Sequence, residues 1–287
     1  MESWTVKRVV AWIQSDLARR GSSSPRLEAD LLVCHGLGLS RIALYLDPDR
    51  PLLPGELTTI RSLVERRRRG EPMAYIRGQR EFYGRAFHVS PAVLIPRPDT
   101  ETLIDEALSL LRGELVEGDV LDLGTGSGAI ALTLAAECPS RSYLATDVSE
   151  EALAVARDNA ARLEVEDRVT FRAGNLFEAL ELSARFALIV SNPPYIGSDE
   201  LATLEPDVRD FEPKLALDAG DDALSFYRQI AQRAPTVLIP GGVLLLEVGH
   251  TQAASVAALL ADAGFCEVSR VPDLSGVERV VRARQPG

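Results

Sequence analysis

The sequence is poor in the residues that build metal sites and disulfide frameworks. Three cysteines (Cys34, Cys138 and Cys266) and three histidines are scattered over 287 residues. Their spacing matches no metal-ligand pattern and no even set of disulfides, so no metal site is expected. The thiols read as buried structural ones, and a cytoplasmic setting follows as the default. Long apolar runs are missing too. None approaches the roughly 20 residues of a membrane span. The best candidate, "VLIPGGVLLLEVG", is interrupted by Pro240 and two glycines. The N-terminal "MESWTVKRVVAWIQ" lacks an apolar h-region, and the acidic Glu2 and Asp16 argue against a transit peptide. Positive charge is in deficit, with 31 Lys and Arg against 42 Asp and Glu and a net charge of −11. That disfavours nonspecific nucleic-acid binding, which needs basic surface, and no direct sequence-specific nucleic-acid contact is expected. No internal repeat, low-complexity segment or sign of an oligomer interface is found, so a monomer is expected.

What is present is enough apolar residue, 46%, to fill a real core. Residues 1–80 read as a small helical domain. Val6, Val9, Val10, Ile13 and Leu17 recur at helical spacing, and Gly21 ends that run. A second segment starts near Pro25 with Leu27, Leu31 and Cys34 on one face. A third carries Leu57, Ile60 and Val64 and closes with "ERRRRG". The segment "EFYGRAFHVSPAVLIPRPDTE" (81–101) changes character: it alternates and is rich in aromatic and β-branched residues, and 81–97 is expected to form a β-hairpin linker turning near Ser90-Pro91. Asp99 is placed to cap a helix through Leu103, Ala107 and Leu110.

Over 98–287 short apolar strands alternate with helical patterns. The strand candidates are "DVLDLG", "SYLATD", "RVTFRAG", "FALIVSN", "GVLLLEVG", "FCEVSRV" and "ERVVRAR". The last two lack an intervening helix and are expected to pair antiparallel. The pattern is that of an α/β domain with a mainly parallel sheet covered on both faces. Ligands of such sheets bind beyond the carboxyl ends of the strands, at the switch point. Both "DLGTGSG" and "SNPPY" fall at such ends.

"VLDLGTGSGAIALTLA" reads as strand, tight glycine turn and helix. The glycines allow a sharp turn and close approach of a ligand to main-chain N–H groups. Asp147 ends the next strand, where a carboxylate can accept from ribose hydroxyls. Gly124-x-Gly126-x-x-Ala129 also fits a dinucleotide fingerprint. Asp122, two residues before Gly124, would repel a pyrophosphate and suit a cationic ligand such as S-adenosylmethionine; capping of backbone N–H groups is the other role open to it.

"SNPPYIG" places an asparagine and two prolines after the apolar run Phe186–Val190. The methyl acceptors compatible with "NPPY" are planar NH₂ groups, whose delocalised lone pairs make poor nucleophiles. The Asn192 side chain and the Pro193 main chain each offer a carbonyl. Together they could accept both N–H bonds of the target and aim its lone pair, so that positioning and electrostatics provide the acceleration. Tyr195 could stack on the flat acceptor, and the prolines keep a donor-poor edge open.

Through these motifs the chain resembles the HemK/PrmC-type release-factor glutamine methyltransferases. The resemblance runs nearly end to end, through "FYGRAFHVSPAVLIPRPDTE", "DLGTGSGAIAL", "ATDVSEEALAVARDNA", "SNPPYI" and "EPDVRDFEPKLALDAGDDALSFYR". It implies N5-methylation of the glutamine in the Gly-Gly-Gln motif of peptide-chain release factors, with S-adenosylmethionine as donor. It implies a seven-stranded, Rossmann-like methyltransferase domain behind a helical domain that grips the protein substrate. By position, Gly124, Thr125, Gly126, Ser127 and Gly128 would cradle the methionine part and Asp147 the ribose. Asn192, Pro193, Pro194 and Tyr195 would hold the glutamine amide, and Thr100 and Glu101 would close the cofactor pocket. Asn175 and Leu176 stand where many relatives have an acidic residue and a tryptophan, so they would contact adenine differently. Ala219 and Ala223 replace glycines usual in the later motif. The other function class weighed is a DNA or RNA exocyclic-amine methyltransferase, which the same corner would serve by holding a flipped base; a noncatalytic nucleotide-binding module or a dehydrogenase is opposed by Asp122 and "NPPY".

Four further features carry expectations. The arginine run 66–69 reads as a solvated helix end. Trp4 and Trp12 are expected in the core of the helical domain. Arg97 is expected to pair with Glu101 as a brace. Glu205, Asp207 and Glu212 read as a solvated acidic loop or as contacts to a basic substrate domain.

Overall fold

The computed structural model describes residues 4–113 and 115–287; Glu2, used above against a transit peptide, lies outside them. The described residues fall into two compact units. One runs to Gly78 and includes Pro206–Phe211; the other comprises Gln79–Glu205 and Glu212–Gly287. Among the described residues no helix is long and apolar enough to cross a membrane.

The first unit contains α1 (Val6–Arg19), α2 (Pro25–Leu37), α3 (Arg41–Leu46), α4 (Pro54–Arg68) and α5 (Met73–Arg77). The α1 stripe predicted from spacing is buried at Val6, Val9, Val10, Ile13 and Leu17. Pro25 sits at the first position of α2, where its missing N–H costs nothing, and Gly38 ends it in the left-handed conformation. The buried face of α2 differs from the expected one: Ala29, Leu32, Val33 and Cys34 face the core, while Leu27 is exposed. Leu27, Leu31 and Cys34 share one helical stripe, but the core packs against the flank next to it.

Two side-chain expectations fail here. Trp4 and Trp12 are exposed, at 42% and 44%, and each lies under an arginine, Arg8 over Trp4 and Arg68 over Trp12. The arginine run is correspondingly not a free solvated end. Arg66 pairs with Glu71, Arg67 with Glu28 through bonds of 3.0 and 2.9 Å, and Arg68 with Asp16 through two of 2.9 Å. A planar fork meets a carboxylate in each case. The Arg68 pairing holds the Asp16 carboxyl below the usual carboxylate range. The run thus ties α4 to α1 and α2.

The second unit opens with a hairpin, β1 (Gln79–Phe82) and β2 (Arg85–His88). It turns at Tyr83-Gly84 and not at Ser90-Pro91 as the sequence suggested. Both turn residues have positive φ, 48° at Tyr83 and 69° at Gly84, the geometry of a tight two-residue hairpin connection. Phe82 and Phe87 pack edge to face at 6.0 Å in the core beneath it.

The order then runs α6 (Glu101–Arg112), β3 (Asp119–Leu123), α7 (Ala129–Glu137), β4 (Tyr143–Asp147), α8 (Glu150–Arg162), β5 (Val169–Ala173) and β6 (Phe186–Ser191). After α9 (Pro206–Phe211) come α10 (Ser225–Arg233), β7 (Leu238–Glu247), α11 (Ala253–Asp262), β8 (Cys266–Pro272) and β9 (Glu278–Arg284). The sheet has seven strands in the order β5-β4-β3-β6-β7-β9-β8. All pairings from β5 to β7 are parallel, and β9 runs antiparallel to β7 and β8. The seven predicted strands and the antiparallel final pair are all present. Two apolar cores line the two faces of the sheet. Because β6 pairs with β3 on the side away from β4, the switch point lies between β3 and β6. Their register sets Leu123 opposite Ser191, which brings the ends of both motifs side by side.

Smaller differences follow from packing. Asp99 caps no helix; it lies in the 3₁₀ turn Pro98–Thr100 before α6 and pairs with Arg279 at 2.9 Å. Arg97 braces the chain, but its partner is Glu212 at 2.5 Å. Glu212 is buried and also accepts from the Ile95 N–H, so it is neither solvated nor available to a partner. Cys34 and Cys138 are buried as expected, whereas Cys266 is exposed because it opens an edge strand.

Candidate active site

The glycine loop leaves β3 at Leu123. The Gly124 and Thr125 N–H groups both donate to Thr146 O at 2.9 Å, which folds the turn over the end of β4. Gly126 has φ 55°, and a Cβ there would meet nothing within 4 Å; its face is open. Gly128 is needed for the opposite reason. Its Cβ would lie 2.7 Å from Leu132 Cδ1 and 3.3 Å from Ala156 Cβ at φ 81°, so only glycine permits α7 to start there. Asn159, fully buried in α8, secures the loop from behind. Its amide donates to Ser127 O and to His88 O, each at 2.9 Å, and accepts from the His88 N–H.

Asp122 takes the second of its two expected roles. It is 1% exposed and accepts from Thr125 Oγ1 at 2.6 Å and from Ala131 N at 3.2 Å, so it braces the turn from inside. Burial pushes its pKa up to about 7, against the two hydrogen bonds. The unfolded chain therefore releases this proton near pH 4 while the folded protein keeps it, and stability contributed at that site falls as pH rises between the two values. Asp122→Asn is expected to flatten, without abolishing, the decline of the urea midpoint from pH 5 to pH 8; a slope identical to that of the parent would count against this.

Asp147 ends β4. Its carboxylate accepts from the Gly126 N–H at 2.8 Å and the Ser149 N–H at 2.9 Å, and burial raises its pKa. It faces a cavity of about 590 Å³ lined by the glycine loop, Thr100, Asn175, Leu176 and the Asn192-Pro193-Pro194 corner. The wall is largely apolar, with Val93, Ile130, Val148 and Leu215. Leu176 stands at φ 49°, a strained conformation for a branched residue. Gly174 is required beside it, since a Cβ there would come 2.8 Å from Ala179 N.

The corner leaves β6 at Ser191, whose hydroxyl donates to Leu123 O at 2.7 Å. This bond stitches the two strand ends together. Asn192 Nδ2 donates to Thr100 Oγ1 at 3.4 Å. Gln252 braces the corner from the β7 side: its amide donates to Tyr195 O at 2.9 Å and accepts from the Gly249 N–H at 3.0 Å. Tyr195 packs against the core on its own side of the sheet, and burial lifts its hydroxyl to about 12.

Of the residues expected at the site, the fold brings Thr100, Gly124, Thr125, Gly126, Ser127, Asp147, Asn175, Leu176, Asn192, Pro193 and Pro194 to one cavity. Asp122, Glu101, Gly128 and Tyr195 do not line it. Glu101 instead accepts from the Tyr83 N–H at 2.9 Å. Ala219 is buried; its N–H donates to Ile196 O at 2.8 Å and its carbonyl accepts from Ser225 Oγ at 2.7 Å, so the loop carrying it closes back on the corner.

Residues 8–78 match the family model described as PrmC N-terminal domain, and residues 100–204 match the Methyltransferase small domain. The chain is 45% identical over 283 residues to the release factor glutamine methyltransferase of Geobacter sulfurreducens, covering 99% of this chain and 98% of that one. It belongs to the release factor glutamine methyltransferase family. Among solved structures, the family's protein-(glutamine-N5) methyltransferase (release factor-specific) from Alicyclobacillus acidocaldarius is 35% identical, with a TM-score of 0.42, covering 70% of this chain and 100% of that one. A methyltransferase from Pyrococcus furiosus shares the fold at 19% identity and a TM-score of 0.53, over 72% of this chain and 91% of that one. Asn159 was detectable as an asparagine inside a helix, where it is disfavoured without a partner. Glu247 was detectable as the one charge in "GVLLLEVG".

Proposed function

We propose that the protein methylates N5 of the glutamine in the Gly-Gly-Gln motif of peptide-chain release factors, with S-adenosylmethionine as the methyl donor. The observation that supports this reading is the pairing of Leu123 with Ser191, which puts the glycine loop and the Asn192-Pro193-Pro194 corner on one cavity. The cavity suits the donor: an open face at Gly126, a carboxylate at Asp147 and apolar walls for a flat base. When bound, that donor supplies a methyl group on a sulfonium.

Gly124 to Ser127 would hold the amino-acid part, Asp147 the ribose, and Leu176 and Asn175 the base. Asn192 Oδ1 and the Pro193 carbonyl would accept both N–H bonds of the glutamine amide. Among the described residues nothing donates to the Pro193 carbonyl, which supports its being open to substrate. Because the corner aims the nitrogen lone pair, no strong base is needed, and the positioned acceptors lower the barrier. Thr100, beneath Asn192, would keep the amide side chain from rotating. The helical unit would engage the protein substrate, the working compartment would be the cytoplasm, and the protein would act as a monomer.

Incubation with methyl-labelled S-adenosylmethionine and a release factor is expected to label the motif glutamine, read by peptide mass spectrometry. Cofactor binding by calorimetry without label on that glutamine would reject the reading; label on nucleic acid instead would shift it to amine methylation of a base.

A further inference from the structure

Glu247 ends the apolar run Leu244–Leu246 of β7, yet it is only 3% exposed. A carboxyl group in such a place needs donors. The β6–β7 register, with Ser191 opposite Leu246, brings Asn192 beside Glu247, and the Thr100 and Asn192 side chains both act to lower its pKa, while Oε2 has no partner among the described residues. Asn192 and Thr100 line the cavity and Glu247 does not, so the carboxyl lies behind the amide. An ionised carboxylate can only accept. It therefore selects the NH₂ end of Asn192 and leaves the carbonyl end for the cavity.

We propose that Glu247 is a positioning residue that fixes the orientation of the Asn192 amide and strengthens its carbonyl as an acceptor. The idea rests on the preceding reading of Asn192 as the amide clamp. A donor engaged by a charge polarises the acceptor at the other end of the same amide, as in any hydrogen-bonded chain. The negative charge also favours the positive charge that the substrate nitrogen gains during transfer. Both effects require Glu247 to be ionised. Its pKa is pushed up to about 7, chiefly by burial. Thr100 counters that, Asp99 adds to it, and Arg279 and Asn192 counter it; Tyr195 and Tyr227 are the other titratable neighbours. The contribution is thus gained as pH rises through neutrality.

The test is Glu247→Gln, close in shape, with thermal unfolding as a check that it folds. Turnover on a release factor is expected to fall about 10–50-fold, and the calorimetric Kd for S-adenosylmethionine to stay within about threefold. The double variant with Asn192→Ala should be no slower than Asn192→Ala alone, because Glu247 acts through that residue. In the parent, the side-chain amide resonance of Asn192 should titrate with a midpoint near 7, and in Glu247→Gln it should not. Turnover within twofold of the parent, multiplicative losses in the double variant, or a flat resonance in the parent would each overturn the proposal. Failure of the parent to label any release factor would instead overturn the functional reading, and the amide titration would still decide the role of Glu247.

Discussion

Asn192→Ala lowers turnover by about 10²–10³-fold while the Kd for S-adenosylmethionine moves by less than about threefold. The size follows from what the residue does. Its carbonyl is one of the two proposed acceptors for the amide, and loss of one preorganised polar group at a reacting centre costs roughly 3–4 kcal/mol of barrier. The selectivity follows from position. Asn192 is anchored to Thr100 and sits beyond the end of β6, whereas the loop that would hold most of the donor leaves β3. Single-turnover transfer and calorimetry on the same preparation separate the two quantities. A variant that turns over at the parent's rate, or one that loses both properties equally, would be incompatible with an amide clamp.

The second large effect is expected at Asp147. Asp147→Ala weakens S-adenosylmethionine binding by about 10²–10³-fold. Two functions are lost together. The carboxylate organises the loop by accepting from the Gly126 and Ser149 N–H groups, and its remaining lone pairs face the cavity where a ribose would lie. Hydrogen bonds to a charged group are worth about 1.5–3 kcal/mol each. Asp147→Asn keeps one acceptor and is expected to recover about tenfold of the loss. Calorimetry gives the constants directly, and an alanine variant that binds within threefold of the parent would remove Asp147 from the binding site.

Much of this was legible in the sequence because it rests on local rules. Strands such as "FALIVSN" are near-continuous apolar runs, as parallel strands buried on both faces must be. Glycine and proline mark the two loops by backbone chemistry alone. The switch point could be anticipated, but not the register that sets Leu123 opposite Ser191. What remained hidden depends on partners distant in sequence. Gly84 marked a possible turn in the sequence, but nothing marked Tyr83 as its positive-φ partner, and the hairpin turns there and not at Ser90-Pro91. Trp12 stays exposed with only Arg68, 56 positions along the chain, over its ring. Glu212 is buried because Arg97 and the Ile95 N–H reach it. Asp122 sits within reach of the cavity by spacing, yet Thr125 and Ala131 turn it inward.

The bond from Ser191 to Leu123 O has a wider consequence. It joins the last rungs of two neighbouring strands, which lie about 4.8 Å apart in any sheet. On the proposed assignment, the gap between methyl giver and methyl taker would be metered by main chain, independent of how outlying loops are shaped. Those loops can drift to suit a different client protein, and the geometry of transfer stays where the ladder put it.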